Sequence, residues 1–176
     1  MFARTERLLL RPGWPEDWQA LFNAINDEGI VCNLARAPWP YTPEVAKEFA
    51  AKPQDPFYPN FFLTLPTESG SQLVGCCGLG ETDQGEAEIG YWIARAHWGQ
   101  GYATEAAGAV IEIARTIGHR QLHCGHFIDN PASQRVIEKL GFVQQGPAVL
   151  RYSAGRGKDV PCMEYVMELE PLLQVA

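Results

Sequence analysis

Two glycines separate a predicted strand from a predicted helix between positions 87 and 117, and that junction constrains this chain more than any other feature. Residues 87–94 (Ala-Glu-Ile-Gly-Tyr-Trp-Ile-Ala) read as a strand. Residues 102–117 read as a helix, with Ala106, Val110, Ile113, Ala114 and Ile117 forming one apolar stripe. Upstream, residues 60–65 and 72–79 are strand-like, separated by the turn Thr67-Glu68-Ser69-Gly70-Ser71, and a polar turn at 81–85 leads into the third run. This is the pattern of an antiparallel meander. An opening strand is expected over 4–11, ending before Pro12, and a helix over 16–26, where Trp18, Leu21, Phe22 and Ile25 recur at helical spacing. Residues 27–41 look irregular. Thr42 is a candidate N-cap, with Pro43 in the first turn of a second helix that fades before Pro53. Downstream come a strand at 121–128 and a short helix at 132–140 closed by Gly141. Terminal strands over 142–149 and 162–169 flank a glycine-rich, basic loop at 153–159. The order implies one domain of the α+β class over 1–176, a mixed, mostly antiparallel sheet with helices on both faces.

The junction itself is His97-Trp98-Gly99-Gln100-Gly101-Tyr102-Ala103-Thr104-Glu105. Glycine lets backbone approach a ligand with no Cβ in the way. The first amides of a helix have no partner within it, and the helix dipole adds partial positive charge. Residues 99–104 therefore suit a phosphate, with the Thr104 hydroxyl as an extra donor. Two familiar phosphate loops do not apply. A P-loop ends in Lys followed by Ser or Thr, and this chain has no such pair. A dinucleotide fingerprint needs a third glycine where Thr104 stands. On two glycines alone, a turn that merely caps a helix explains the pattern equally well.

Bulk properties exclude several classes. At 176 residues folding buries roughly 70% of the unfolded surface, so neither a disulfide framework nor a structural metal is required. A net charge of -7 argues against nucleic acid and loosely suits a cationic partner. The five cysteines, Cys32, Cys76, Cys77, Cys124 and Cys162, form no C-x-x-C pair and read as reduced thiols of a cytoplasmic protein. Cys76 and Cys77 should point to opposite faces of their strand. The first seven residues lack the apolar core of a signal peptide, and no apolar run approaches the ~20 residues of a membrane span, so no membrane association is expected. No metal is expected: His97, His119, His123 and His126 show no ligand spacing with carboxylates, and His123 and His126 face opposite sides of a strand.

A second segment, residues 129–142, places Asn130 after a strand and before a short helix, where a plain N-cap with Gly141 as C-cap is one sufficient reading. Taken together, Ile89-Gly90-Tyr91-Trp92-Ile93, residues 98–106, Asn130-Pro131-Ala132-Ser133 and Glu138-Lys139-Leu140-Gly141-Phe142 resemble the GCN5-related N-acetyltransferase (GNAT) superfamily. Within it they resemble the ribosomal-protein-alanine N-acetyltransferase (RimJ/RimL-like) branch. Arg7-Leu8-Leu9-Leu10-Arg11 is similar to the family's opening strand, so the resemblance spans nearly the whole chain. It implies a V-shaped splay between the fourth and fifth strands and acetyl-CoA as co-substrate. The backbone of Gly99, Gln100, Gly101, Tyr102, Ala103 and Thr104 would cradle the pyrophosphate. Tyr91, Trp92, Ile93 and Ala94 would line the pantetheine, with Asn130 and Ser133 nearby. Trp98 departs from the Arg or Gln usual at its position, which matters little if the contacts are main-chain.

Acetyl transfer needs a neutral amine, a polarised thioester and a protonated leaving thiolate. At pH 7 about one α-amine in seven is neutral, against roughly one lysine amine in 2,500, so an α-amine needs a base less. Glu88 is the candidate base, acting through water from the face opposite Ile89, with Glu86 a weaker second. A solvated strand carboxylate is the plain alternative. A backbone amide near Ile93 is the candidate oxyanion donor. The tyrosine that serves many relatives as general acid corresponds to Ile137 here, which leaves Ser133 as the substitute, although a helix serine needs no such role. Tyr152 is a remoter hydroxyl. Trp39 and Tyr41 lie where the family's acceptor loop falls and are the substrate-pocket candidates. The expected partner is an amine, with a protein N-terminal α-amine favoured over a polyamine, amino acid or antibiotic. A non-catalytic acetyl-CoA sensor is the reading from another class. A homodimer is compatible with the sequence but not read from it.

Overall fold

The computed structural model describes residues 1–68 and 70–170. Among the described residues nine strands form one sheet, in the order β1-β2-β3-β4-β5-β6-β9-β7, with β8 also paired to β9. The expected opening strand is broken. β1 (Ala3–Arg4) and β2 (Leu9–Arg11) pair antiparallel across a turn in which the Thr5 amide donates to the Leu8 carbonyl at 2.9 Å. The Leu8 amide in turn donates to the Thr5 hydroxyl at 2.9 Å. A short polar residue that folds back on the backbone competes with the ladder, which is why one run became two strands.

The meander is present as β3 (Asn60–Thr67), β4 (Gly70–Glu81) and β5 (Ala87–Ile93), all antiparallel. β3 and β4 run further into the expected 67–71 turn than its polar residues suggested, pairing Thr67 with Gly70. Ser69, inside that turn, lies outside the described residues. Cys76 and Cys77 do fall in separate cores on the two faces of β4. One face is covered by α1 (Trp18–Ile25), α2 (Glu28–Val31) and α3 (Pro43–Ala50). α2 lies in the stretch expected to be irregular, where the Asp27 carboxylate caps it by accepting from the Gly29 amide. α3 starts as expected, with the Thr42 hydroxyl accepting from the Val45 amide. The other face is covered by α4 (Tyr102–Ile117) and α5 (Pro131–Lys139). Ala106, Ala107, Val110, Ile111 and Ala114 of α4 are buried there, and the three alanines let the helix sit close to the sheet.

β6 (Gln121–Phe127) runs parallel to β5, and the two meet at a single pair, Glu88 with His123. Beyond it they diverge, and β6 turns its other edge to β9 (Lys158–Glu168) along its whole length. This is the expected splay, between β5 and β6 in the observed count. The terminal part differs from expectation. Instead of one strand there are two, β7 (Val143–Gln144) and β8 (Val149–Ser153), both on the far edge of β9. Gly146, at φ +59°, and Pro147 interrupt the run, since proline cannot donate to a ladder. The expected loop shrinks to a hairpin turn, because strand pairing resumes at Ser153 with Lys158.

Candidate active site

A cleft of about 630 Å³ opens where β6 leaves β5. The Ala94 amide donates to the Val74 carbonyl at 2.8 Å, so in the alternation of an antiparallel ladder Trp92 and Ala94 direct their backbone groups to β4. Tyr91 and Ile93 direct theirs the other way, into the splay. The Ile93 carbonyl is already taken by the Trp98 indole Nε1–H at 2.6 Å. The family's departure at Trp98 thus has a local use, pinning the strand end. Tyr91, Trp92 and Ile93 line the cleft; Ala94, named with them from the sequence, does not, and its amide is committed to β4.

The glycine loop at 99–104 is held from behind. Gly99 and Gly101 adopt φ +74° and +82°, a left-handed region costly for residues with a Cβ. Gly101 is the N-cap of α4. Arg7 donates from Nη1 to the Gln100 carbonyl at 2.9 Å and from Nε to Glu105 Oε2 at 2.7 Å, and its guanidinium lies 4.5 Å over the Tyr102 ring. Glu105 also accepts from the Thr5 hydroxyl at 2.6 Å. Burial alone would raise the Glu105 pKa, but the bonds from Thr5 and Arg7 outweigh it and hold the carboxyl below its usual value. Gly99, Gly101, Ala103 and Thr104 face the cleft. Gln100 does not: its carbonyl is bound by Arg7 and its side chain reaches toward the Ala96 carbonyl. The Tyr102 ring is buried in the core, so at this loop its useful group is the backbone amide. The brace from Arg7 and Glu105 was not read from the sequence, although Arg7 stood in a matching segment. Arg135 and Lys139 of α5 add positive charge to the same cleft and were likewise missed.

At the start of α5 the Asn130 Oδ1 accepts from the Ser133 amide at 3.2 Å, so Asn130 is an N-cap, and it also lines the cleft. The Ser133 hydroxyl lies 2.9 Å from the Tyr91 hydroxyl across the splay. Burial pushes the Tyr91 phenol well up, so it stays protonated. Ile137 is 1% exposed and part of the core, so the position of the usual tyrosine is closed. A tyrosine hydroxyl reaches the same region from β5 instead. Tyr152 is 57% exposed on β8 and lines neither cavity.

A second cavity of about 620 Å³ lies toward the α1–α3 face and shares Leu34, Ala35, Glu88, Gly90, Tyr91, Trp92 and Arg151 with the first. Glu88 stands at this junction on the face opposite buried Ile89, as alternation requires. Both its oxygens are bound by Arg151, Nη1 to Oε1 and Nη2 to Oε2, the latter at 2.7 Å. Arg151 comes from β8, 63 residues away, and no local signal marked it. Glu86 is exposed to solvent beside His123, 3.5 Å away, and does not line either cavity. Tyr41 lines the second cavity, its phenol pushed up to about 12 by burial. Trp39 does not; it packs against the core under α1–α3. Among the described residues no cluster of three or more potential metal ligands occurs, and no helix is long and apolar enough to cross a membrane.

The turn of the β8–β9 hairpin straps the segment after α2 to the end of β6. The Ala154 amide donates to the Ala35 carbonyl at 2.9 Å. Arg156 donates to the Cys32 carbonyl at 2.7 Å and pairs with Asp129 at 2.6 Å. Gly155 packs so closely on Val31 that a Cβ there would sit 2.7 Å from its carbonyl oxygen.

A family model described as the acetyltransferase (GNAT) domain matches residues 7–143. The chain is 32% identical over 103 residues to the uncharacterized N-acetyltransferase p20 of Bacillus licheniformis, and the match covers 56% of this chain and 56% of that relative's length. Among solved structures it is similar to an acetyltransferase (GNAT family) from Bacillus anthracis, 23% identical, with TM-score 0.77 over 96% of this chain and 98% of that one. It is also similar to RimL, a ribosomal L7/L12 alpha-N-protein acetyltransferase solved in complex with coenzyme A, 18% identical, with TM-score 0.76 over 96% and 98%. At these identities the two structures show a shared fold. The family model runs from the Arg7 brace through the splayed strands and both helix starts, and this chain belongs to the GNAT acetyltransferase family.

Proposed function

We propose that the chain is one acetyltransferase domain over residues 1–176 that transfers an acetyl group from acetyl-CoA to a primary amine, by direct attack with both substrates bound. The observation that carries this is the continuity of the two cavities at Glu88, Tyr91 and Arg151. One cavity leads to a braced anion loop, and the other is open to an acceptor. In this reading the pyrophosphate lies on the amides of residues 99–104 and the pantetheine runs along the free edge at Tyr91 and Ile93. An amide of that edge, with Ile93 the first candidate, stabilises the oxyanion. Glu88 takes the amine proton through water. Ser133, with the protonated Tyr91 hydroxyl behind it, returns a proton to the leaving thiolate. A covalent acetyl-cysteine route fits poorly: Cys124 and Cys162 line the cleft, but burial pushes both thiols up, away from the reactive thiolate.

Both oxygens of Glu88 are occupied by Arg151, which leaves only their remaining lone pairs for a proton. Such a base serves an amine that is already partly neutral, and this favours an α-amine, such as a peptide N-terminus, over a lysine-like amine. A small-molecule α-amine satisfies the same chemistry, and the strap that encloses the junction suits it. A cytoplasmic location fits five cysteines that are all unpaired. The test is CoA release from acetyl-CoA with purified protein and an amine panel of peptides beginning with Ala, Ser or Met, free amino acids, polyamines and aminoglycosides. Turnover of an α-amine that stops when the amine is blocked supports the proposal. Intact acetyl-CoA binding with no turnover of any amine would favour the sensor reading.

A further inference from the structure

The charges of the second cavity are unevenly used. Three carboxylates line it, and each is engaged: Glu88 by Arg151, Asp55 by the amides of Phe57 and Tyr58, and Glu81 by the Tyr58 hydroxyl. Of its three cations, Arg151 is matched to Glu88. Arg36 and Lys52 form no ion pair among the described residues. Arg36 donates from Nη2 to the Glu81 backbone carbonyl at 2.7 Å, which fixes its direction without neutralising it. Its Nη1 lies 3.2 Å from where a Cβ at Gly80 would sit, so the guanidinium rests on the sheet and a side chain there would push it by a few tenths of an ångström. Gly80 is the registered neighbour of Glu88, which puts Arg36 on the same level of the sheet as the candidate base. At the adjacent level Gly90 leaves open space. The walls are aromatic, among them Tyr41, Phe62 and Trp92.

Such a groove receives a polycation badly. Asp55 and Glu81 are held by neutral donors and keep their charge, but Asp55 is turned onto its own loop's amides and Glu81 projects from the strand face opposite Gly80, so the unpaired charge beside Glu88 on the Gly80 face is that of Arg36. The groove receives an anion well, in a chain whose net charge of -7 otherwise repels one. We propose that the acceptor is a primary amine that also carries an anionic group and an apolar body, the anion being received by Arg36 and Lys52. This rests on the acetyl-transfer reading above and narrows its acceptor. A carboxylate beside an α-amine has two sources, the main-chain carboxylate of a free amino acid and an acidic side chain near a peptide N-terminus.

The test compares matched amines on the acetyl-CoA-dependent protein: phenylalanine against phenylalaninamide, and C-terminally amidated peptides beginning Asp-Phe against Lys-Phe, with spermidine as a polycation. The anionic member of a pair should show kcat/KM at least about tenfold higher, the difference lying mainly in KM. Preference in the first pair identifies a free amino acid, and in the second an acid-led N-terminus. Arg36→Glu should abolish or invert the preference with acetyl-CoA affinity unchanged, and Gly80→Ala, which displaces the guanidinium, should weaken it in the same direction. Equal or better use of the amide, the lysine-led peptide or spermidine overturns the inference and leaves acetyl transfer standing. Calorimetry of the same amines with the CoA-loaded protein reads the preference without turnover. Anion-dependent binding lost in Arg36→Glu, with no acetylation of any amine, would retain Arg36 as an anion site and sink the acetyl-transfer reading. No difference in binding within either pair would overturn it.

Discussion

The two cavities that meet at β5 are built in opposite ways. On the proposed cofactor side the binding groups would be backbone amides of residues 99–104 and the free edge of β5, and side chains from elsewhere hold that backbone still. On the proposed acceptor side the backbone floor is smoothed by Gly80 and Gly90, and the binding groups would be side chains from separate segments: Arg36, Lys52, Glu88 and Arg151. Amides set by a helix start serve any ligand with the same phosphate, so that half can stay constant while the other half varies. Substitutions on the two sides should therefore fail differently, one in cofactor affinity and the other in acceptor use.

The largest expected effect lies where the halves join. Glu88→Gln removes the candidate base and should lower kcat by about 100-fold or more, since general bases contribute roughly 10²- to 10⁴-fold. Acetyl-CoA affinity by calorimetry should hold within about threefold. A kcat within threefold of the parent would reduce Glu88 to an anchor for Arg151. The corresponding proton donor is tested by Ser133→Ala, for which the loss of kcat should be smaller, because the Tyr91 hydroxyl lies 2.9 Å away and can replace it in part.

How much of this was legible in the sequence follows the same division. The anion loop and the strand before it lie within twenty consecutive residues, and glycine at positive φ leaves a mark that survives without context. The meander and α4 were read from periodicity for the same local reason. Arg151, Arg36 and Arg7 were not read as site residues, because each acts on a partner far along the chain, and an arginine carries no sign of where its fork will land. Gln100 and Ala94 were assigned to the cofactor by their place in a motif, but the Gln100 carbonyl is bonded by Arg7, the Ala94 amide is bonded to Val74, and neither residue lines the cleft. The broken first strand and divided terminal strand came from Thr5 and from Gly146-Pro147, single residues whose local bonding overrode an extended pattern. Gly101→Val tests the legible half. Forcing a β-branched residue to φ +82° costs about 1–2 kcal/mol, and acetyl-CoA should bind about tenfold more weakly with acceptor KM little changed. A larger change in acceptor KM would break the proposed division.

The smallest effect should come from the strap, which belongs to neither half. Arg156 ties the hairpin to the α2 end and to Asp129, and its guanidinium lies 5.0 Å over the Phe127 ring. The Asp129 pair is largely exposed on the carboxylate side and should contribute at most about 1 kcal/mol, while the bond to the Cys32 carbonyl adds a similar amount. Arg156→Ala should lower Tm by roughly 2–6 °C by differential scanning calorimetry, given about 2–4 °C per kcal/mol at this size. Because the strap positions Leu34 and Ala35, which wall both cavities, acceptor KM and acetyl-CoA Kd should rise together by a factor of about two to three. The Arg156 hydrogen bonds hold the Asp129 carboxyl below its usual pKa. Its contribution is therefore complete at neutral pH, and it is lost as pH falls below the ordinary carboxylate range toward the depressed folded value. The gap in Tm between parent and variant should accordingly be constant from pH 6 to 8 and narrow in acid. A gap that instead widens in acid would mean the Asp129 pair is not what the variant removes, and a rise confined to one ligand would assign the strap to that ligand's half alone.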